Sequence, residues 1–221
     1  MPFQRVAAVI FDMDGLLFDT ERLYAEAMMA AAVEMGASLK PAAIHRTIGL
    51  PAADCGDIWA EYFPPDFDVD AFWLASSANF KMQAETRLTL KAGAIELLDL
   101  LENLNLPRAI ATSSDRATVD HHLDKAGIAE RFNAIIAFGD YAEGKPHPAP
   151  YIAAATRLDV DPAICLALED SYNGVRSAAA AGMITIMVPD LLEATQEMHE
   201  LSLQVVRDLH DVCALFADSA S

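Results

Sequence analysis

AAVIFDMDGLLFDT occupies residues 7–20. Ala7 to Phe11 is short, continuous and apolar and runs toward a glycine, Gly15, which reads as a buried β-strand. A strand does not continue comfortably through Asp-Met-Asp-Gly, so Asp12 and Asp14 fall at its carboxyl end. In parallel α/β sheets that end is where ligand crevices form. Residues two apart on extended backbone point the same way, so the two carboxylates can converge on one object. Close carboxylates repel and their pKa values separate unless a cation neutralises them. The pair suits a nucleophile, an acid/base and a metal site together. An isolated Asp-x-Asp has a competing reading as a turn or helix cap. An EF-hand is excluded, because the acidic loop pattern and its closing glutamate are missing.

Outward from this stretch, the chain from Thr20 to about Thr86 reads as helical. Helices are expected at 20–36, 41–47, 52–63 and 68–86, punctuated by Pro41, Pro51 and the Pro64-Pro65 pair. The pattern then alternates. Strands are expected near 107–112, 134–138, 164–168 and 183–188, and helices near 91–104, 115–126, 148–157, 171–181 and 208–217. Alternation of this kind predicts an α/β fold, a parallel sheet with helices on both faces, interrupted after its first strand by a helical insert.

Composition narrows the function. The 221 residues are 53% apolar, enough to bury a sizeable core. Fifteen lysines and arginines against 33 aspartates and glutamates give a formal net charge of −18. That balance argues against nucleic acid, which is bound by neutralising its phosphates, and against anionic membrane surfaces. Any phosphate site must then be locally positive. No apolar run approaches the roughly 18 residues of a membrane span, and the first residues lack a signal-peptide pattern. Cys55, Cys165 and Cys213 are odd in number and widely spaced, which predicts reduced thiols in a cytoplasmic protein. Adjacent His121 and His122 would diverge on a helix, so zinc is not expected.

Three later segments stand in order behind FDMDGLLFDT: AIATSS (109–114), GKPHP (144–148) and LALEDSYNGV (166–175). Together the four resemble the motifs of the haloacid dehalogenase-like hydrolase superfamily, and within it the branch of β-phosphoglucomutase-like and pseudouridine 5′-phosphatase-like proteins. The resemblance implies a Rossmann-like core formed by residues 1–17 and 87–221, with residues 18–86 as an α-helical cap. It implies a Mg²⁺-dependent phosphatase that acts through an aspartyl phosphate. Asp12 is then the nucleophile and Asp14 the general acid and, in the second step, the base. Thr112, with the backbone N–H of Ser113, holds a phosphoryl oxygen, and Lys145 sets a positive charge beside Asp12. Asp12, Asp14 through its carbonyl, Asp170, and Glu169 directly or through water would bind the metal. Mg²⁺ takes about six oxygens at roughly 2.0–2.1 Å.

Other roles are read from position. Ser113, Ser114 and Arg116 border the start of a helix, where anions are favoured; capping by Ser114 or Asp115 is the competing reading. The family usually carries an acid four residues after its lysine. Ala149 stands there, which puts the start of the next helix in doubt. In the cap, Thr20, Glu21 and Tyr24, and Arg46 within the turn 46–50, are the expected substrate contacts. A dehalogenase fits poorly, since it needs neither Asp14 nor magnesium. A phosphomutase remains an alternative, as does a non-catalytic regulator that binds a phosphometabolite. The expected partner is a small phosphomonoester, and the expected state a monomer or weak homodimer.

Overall fold

A computed structural model describes residues 2–47 and 55–219. The chain divides into two compact units, Met1–Phe18 with Thr89–Ser221, and Asp19–Leu88. The first strand, β1, is Ala8–Phe11. It is followed by four helices of the second unit: α1 (Thr20–Glu34), α2 (Pro41–Thr47), α3 (Gly56–Tyr62) and α4 (Val69–Arg87). The first unit resumes with α5 (Ala94–Asn103), β2 (Arg108–Asp115), α6 (Arg116–Ala126), β3 (Ala134–Phe138) and α7 (Ala149–Leu158). It ends with β4 (Cys165–Glu169), α8 (Tyr172–Ala180), β5 (Ile184–Met187), α9 (Gln196–Leu201), β6 (Gln204–Val205) and α10 (Leu209–Ser219).

All six strands among the described residues are parallel, in the order β3-β2-β1-β4-β5-β6. This is the doubly wound order, and the direction of winding reverses between β1 and β4. The reversal follows from the crossovers: β2 and β3 build outward on one side of β1, and the chain then returns to start β4 on the other. Register holds the two central strands level, with Phe11 opposite Leu168 and the Asp12 N–H donating to the Leu168 carbonyl at 3.0 Å. The acids after β1 and those ending β4 therefore emerge at one height.

Central strands covered on both faces are apolar throughout, and β1 is wholly buried. Alternate residues Ala8, Ile10, Ala109, Ala111, Ala134, Ile136, Cys165 and Ala167 form one face, packed with Tyr151, Ala154 and Ala155 of α7 and Ala178 of α8. The many alanines let those two helices lie close to the sheet. On the opposite face Phe11 meets Phe132 edge-on at 5.8 Å.

The expected elements form, with three differences. Strand β2 continues to Asp115 instead of stopping at Thr112. Ala111 pairs with Ile136 and Asp115 with Phe138, so four steps along β2 match two along β3. The excess is a bulge, the device by which a strand re-aims its side chains. Helix α3 begins at Gly56, and the expected start at 52 lies outside the described residues. Helix α9 and strand β6 are additional, both too short to leave a periodic signal.

In the second unit α1 packs on α4. Its core gathers Met28, Ala31, Ala32, Ile44, Trp59, Phe63 and Phe72. Trp59 meets Phe63, Phe72 and Trp73 at 5.7–5.9 Å, and Phe67 stacks on Phe63 at 3.9 Å. These aromatic side chains are thus packed on one another. Asp68 caps α4 by accepting the Ala71 N–H at 2.9 Å.

Candidate active site

After Asp12 the chain turns sharply. The Leu17 and Phe18 N–H groups return to the Met13 carbonyl, and the Gly15 N–H donates to the Phe18 carbonyl at 2.9 Å. Gly15 has φ +81°, a left-handed conformation that costs glycine nothing. The turn buries Met13, Leu16 and Leu17 and leaves Asp12 and Asp14 at the carboxyl edge of the sheet.

Asp12 is almost wholly buried, and the Lys145 ammonium donates to its Oδ1. The same Nζ donates to Glu169 Oε1 at 2.5 Å. Lys145 is itself only 7% exposed and lies 5.2 Å from the centre of the Tyr151 ring. Burial alone would drive off its proton, but the Asp12 and Glu169 carboxylates outweigh burial and hold its pKa above the ordinary value. Burial pushes the Asp12 carboxyl well above its usual range; Lys145 pulls it down, and Glu169 and Asp14 push it further up.

Glu169 is completely buried and accepts five hydrogen bonds. Lys145 and the Tyr151 hydroxyl, at 2.8 Å, reach Oε1. The Asp170 and Ser171 N–H groups and the Ser171 hydroxyl reach Oε2 at 3.0–3.1 Å. A carboxylate offers about four lone-pair sites, so this one is saturated. Ser171, which donates to Glu169, caps α8 by accepting the Gly174 N–H at 3.1 Å, and the carboxylate lies near that helix start, where the dipole favours a negative charge. Burial, and then the Glu169 charge, raise the Tyr151 phenol well above its usual pKa, which keeps it a proton donor.

Gly174 explains how the carboxylate fits. A Cβ at that position would lie 1.8 Å from Glu169 Cδ and Oε1. Ala in place of Gly inside a helix ordinarily stabilises by about 1 kcal/mol. Here the clash reverses the sign, and Gly174→Ala should destabilise by roughly 1–3 kcal/mol, the scale of overpacking. Thermal denaturation checks this: the melting temperature falls, whereas a rise of a few degrees would mean that the Glu169 seat does not constrain the helix.

Asp14 belongs to a second group. Its Oδ2 accepts the Ser114 hydroxyl at 2.7 Å and lies 3.5 Å from Thr112 Oγ1. Thr112 is buried, its Oγ1 accepts the Ser114 N–H at 3.0 Å, and its carbonyl accepts the Tyr141 hydroxyl at 3.1 Å. Ser113 is exposed. Asp115 takes the capping role on α6, accepting the Thr118 N–H and hydroxyl at 3.0 and 2.9 Å.

Oxygen atoms of Asp12, Glu169 and Asp170 lie within 4.8 Å of one another, all three residues buried. Two of them, Asp12 and Glu169, share Lys145, and the Asp14 charge acts on Asp12 as well. An all-oxygen donor set of this kind suits a hard divalent cation such as Mg²⁺, whose charge would offset the crowding of the acids.

Several expected residues have other engagements. Arg116 donates to the Ile135 carbonyl at 2.9 Å and to Asp140 at 2.8 Å, tying α6 to the end of β3. Asp140, held by Arg116 and by the Ala137 N–H, has its pKa lowered, first by that backbone bond. Arg46 forms a two-pronged pair with Glu61 at 2.6 and 3.0 Å. The rest of its turn, 48–50, lies outside the described residues. Tyr24 packs edge-on against Phe80 at 5.5 Å, and burial raises its pKa. Thr20 is buried and Glu21 half-buried, both in the first turn of α1. Helix α7 forms without the acid at 149: His147 Nδ1 accepts the Ala149 N–H at 3.3 Å, and Pro150 suits the first turn. Sequence reading missed Tyr151 and Tyr141. The cue for Tyr151 was one large polar-tipped ring in an alanine-rich helix.

No helix among the described residues is long and apolar enough to cross a membrane. None of the three cysteines forms a disulfide.

Comparison with known proteins agrees with this geometry. Residues 9–188 match the model of the haloacid dehalogenase-like hydrolases. The chain is 31% identical over 190 residues to hexitol phosphatase B of Escherichia coli (strain K12), covering 84% of this chain and 85% of that protein. It is 32% identical over 216 residues to the "Probable pseudouridine-5'-phosphatase" of Drosophila melanogaster, covering 94% and 92%. The fold is shared with the crystal structure of β-phosphoglucomutase from Clostridium difficile, at a TM-score of 0.73, 20% identity and coverage of 97% and 99%. A sheet that reverses where its buried acids emerge, and a family match spanning those acids from end to end, make this chain a member of the haloacid dehalogenase-like hydrolases.

Proposed function

We propose that the protein is a Mg²⁺-dependent phosphatase for a small phosphorylated metabolite, a sugar phosphate or a nucleoside monophosphate-like ester, working through a phosphoryl group on Asp12. The observation that carries the reading is the buried Asp12–Lys145–Glu169 chain at the switch point, with Asp14 held two residues further on. Asp12 attacks phosphorus with one carboxylate oxygen, and the bond from phosphorus to the ester oxygen breaks. Asp14, protonated, gives its proton to the departing alkoxide. Asp14 then takes a proton from water as that water attacks the phosphorus, and the bond to Asp12 breaks to release phosphate. Lys145 holds Asp12 in place and adds positive charge where the phosphoryl oxygens sit. Thr112 and Ser113 are proposed to border those oxygens.

Asp12 and Asp170, with the Asp14 carbonyl, would hold the magnesium ion, which when bound supplies charge neutralisation and orients the phosphoryl group. Glu169, with both oxygens taken, serves in this reading as the anchor of Lys145 beside the metal rather than on it. Residues 18–86 are proposed as the cap that selects substrate, with Thr20, Glu21 and Tyr24 its candidate contacts. Three cysteines, none in a disulfide, fit a cytoplasmic setting.

A mutase must grip a second phosphate with cap cations. In the resembled mutases a histidine occupies the place of Tyr24, and an arginine falls near residue 52, where this chain has alanine, outside the described residues. Residues 65–80 contain no lysine, and Arg46 is already paired to Glu61. Each missing contact forfeits roughly 1.5–3 kcal/mol. The expected result, followed by ³¹P NMR, is net phosphate release from hexose monophosphates or nucleotide-like monoesters. β-Glucose 1-phosphate should not be converted to glucose 6-phosphate. Interconversion faster than release would favour the mutase.

A further inference from the structure

Within the proposed reaction Asp14 must present a proton on one particular oxygen. A carboxylic acid can hold its proton on either oxygen, and only the one facing the ester oxygen transfers it productively. The bulge in β2 bears on that choice. Between Ala111 and Asp115 the strand gains two residues over β3. Ser114 and Thr112, two apart, both direct their hydroxyls at Asp14 Oδ2, at 2.7 and 3.5 Å. Thr112 Oγ1 accepts the Ser114 N–H at 3.0 Å, which fixes the serine backbone. Asp115 supplies the cap of α6, so the Ser114 hydroxyl is not spent there.

We propose that Ser114 positions the general acid: by donating to Oδ2 of Asp14, it leaves Oδ1 as the oxygen that carries the proton to the leaving group. The serine hydroxyl has one hydrogen, and directing it at Oδ2 keeps the acid's own proton off that atom. With the serine hydroxyl gone, the proton samples both oxygens, and the carboxyl, no longer fixed at Oδ2, turns out of line with the leaving group. Ser114 is then a positioning residue, acting through Asp14. This rests on the reading of Asp14 as proton donor.

The test is the dependence of the first step on leaving-group basicity. Phosphoenzyme formation in a single turnover is followed by rapid acid quench with a series of aryl phosphates running from p-nitrophenyl to phenyl. The substrates are alike in size, and the departing phenolates rise in basicity and so in need of a proton. Ser114→Ala should steepen the dependence, losing about tenfold more rate with phenyl than with p-nitrophenyl phosphate, the scale of a displaced acid. Ser114→Thr, which keeps the hydroxyl, should restore the wild-type slope. Ser114→Cys, a weaker donor of similar size, should fall between and gives a second reading if alanine lowers the yield of folded protein. A merely structural role would slow every ester by one factor and leave the slope unchanged. Asp14→Asn separates the two levels of the proposal. If Asp14→Asn steepens the slope and Ser114→Ala does not, the positioning role is overturned while the acid stands. If Asp14→Asn leaves the slope flat, the acid itself is overturned.

Discussion

Asp12→Asn should leave less than about a thousandth of wild-type turnover, the scale of removing a central catalytic group. The amide is a poor nucleophile and a weaker metal ligand, and it offers Lys145 only a neutral oxygen. The loss is chemical rather than a failure to fold. Asn matches Asp in size, Lys145 keeps its 2.5 Å bond to Glu169, and one of the crowded carboxylates is removed. Steady-state assays beside thermal denaturation check both halves: an unchanged fold with abolished turnover. A variant that kept a tenth of the rate would rule out Asp12 as the nucleophile.

Chelation should be as severe. In EDTA activity should vanish, and Mg²⁺ should restore it. Asp170→Asn should raise the Mg²⁺ needed, because one of the three converging carboxylates is lost. Calcium should substitute badly, since it accepts more ligands at longer distances and loosens in-line geometry. A readout independent of turnover follows from linkage. A cation that binds only the folded chain at about a hundred times its Kd adds roughly 2.7 kcal/mol of stability. Mg²⁺ should therefore raise the melting temperature of the wild type, and Asp170→Asn should blunt the rise. Full activity in chelator, or equal rates with Ca²⁺, would contradict the cation site.

Much of this site was legible in the chain because its acids end apolar strands. Phe11-Asp12 and Leu168-Glu169 mark the carboxyl edge by composition alone, and register then sets them level. What stayed hidden depended on partners far along the sequence. The ion pairs of Arg116 with Asp140 and of Arg46 with Glu61 join residues 24 and 15 positions apart. No local pattern announces such pairs. Strand β2 overran its expected end because Thr-Ser-Ser-Asp is polar, while its ladder to β3 resumes only after the bulge. That the neighbour of Gly174 is the Glu169 carboxylate emerges only in three dimensions. Tyr151 carries no motif of its own, yet its hydroxyl fastens Glu169, 18 residues further on.

The central claim, a phosphoryl group carried by Asp12, has one direct measurement. Asp14→Ala removes the base for the second step while leaving Asp12 able to attack an ester whose phenolate departs unprotonated. After that variant is mixed with p-nitrophenyl phosphate and Mg²⁺, intact-protein mass spectrometry should find a gain of one phosphoryl group. Peptide mapping should then assign it to Asp12. An adduct on any other residue, or nitrophenolate release with no adduct on the chain at any time, would contradict the account.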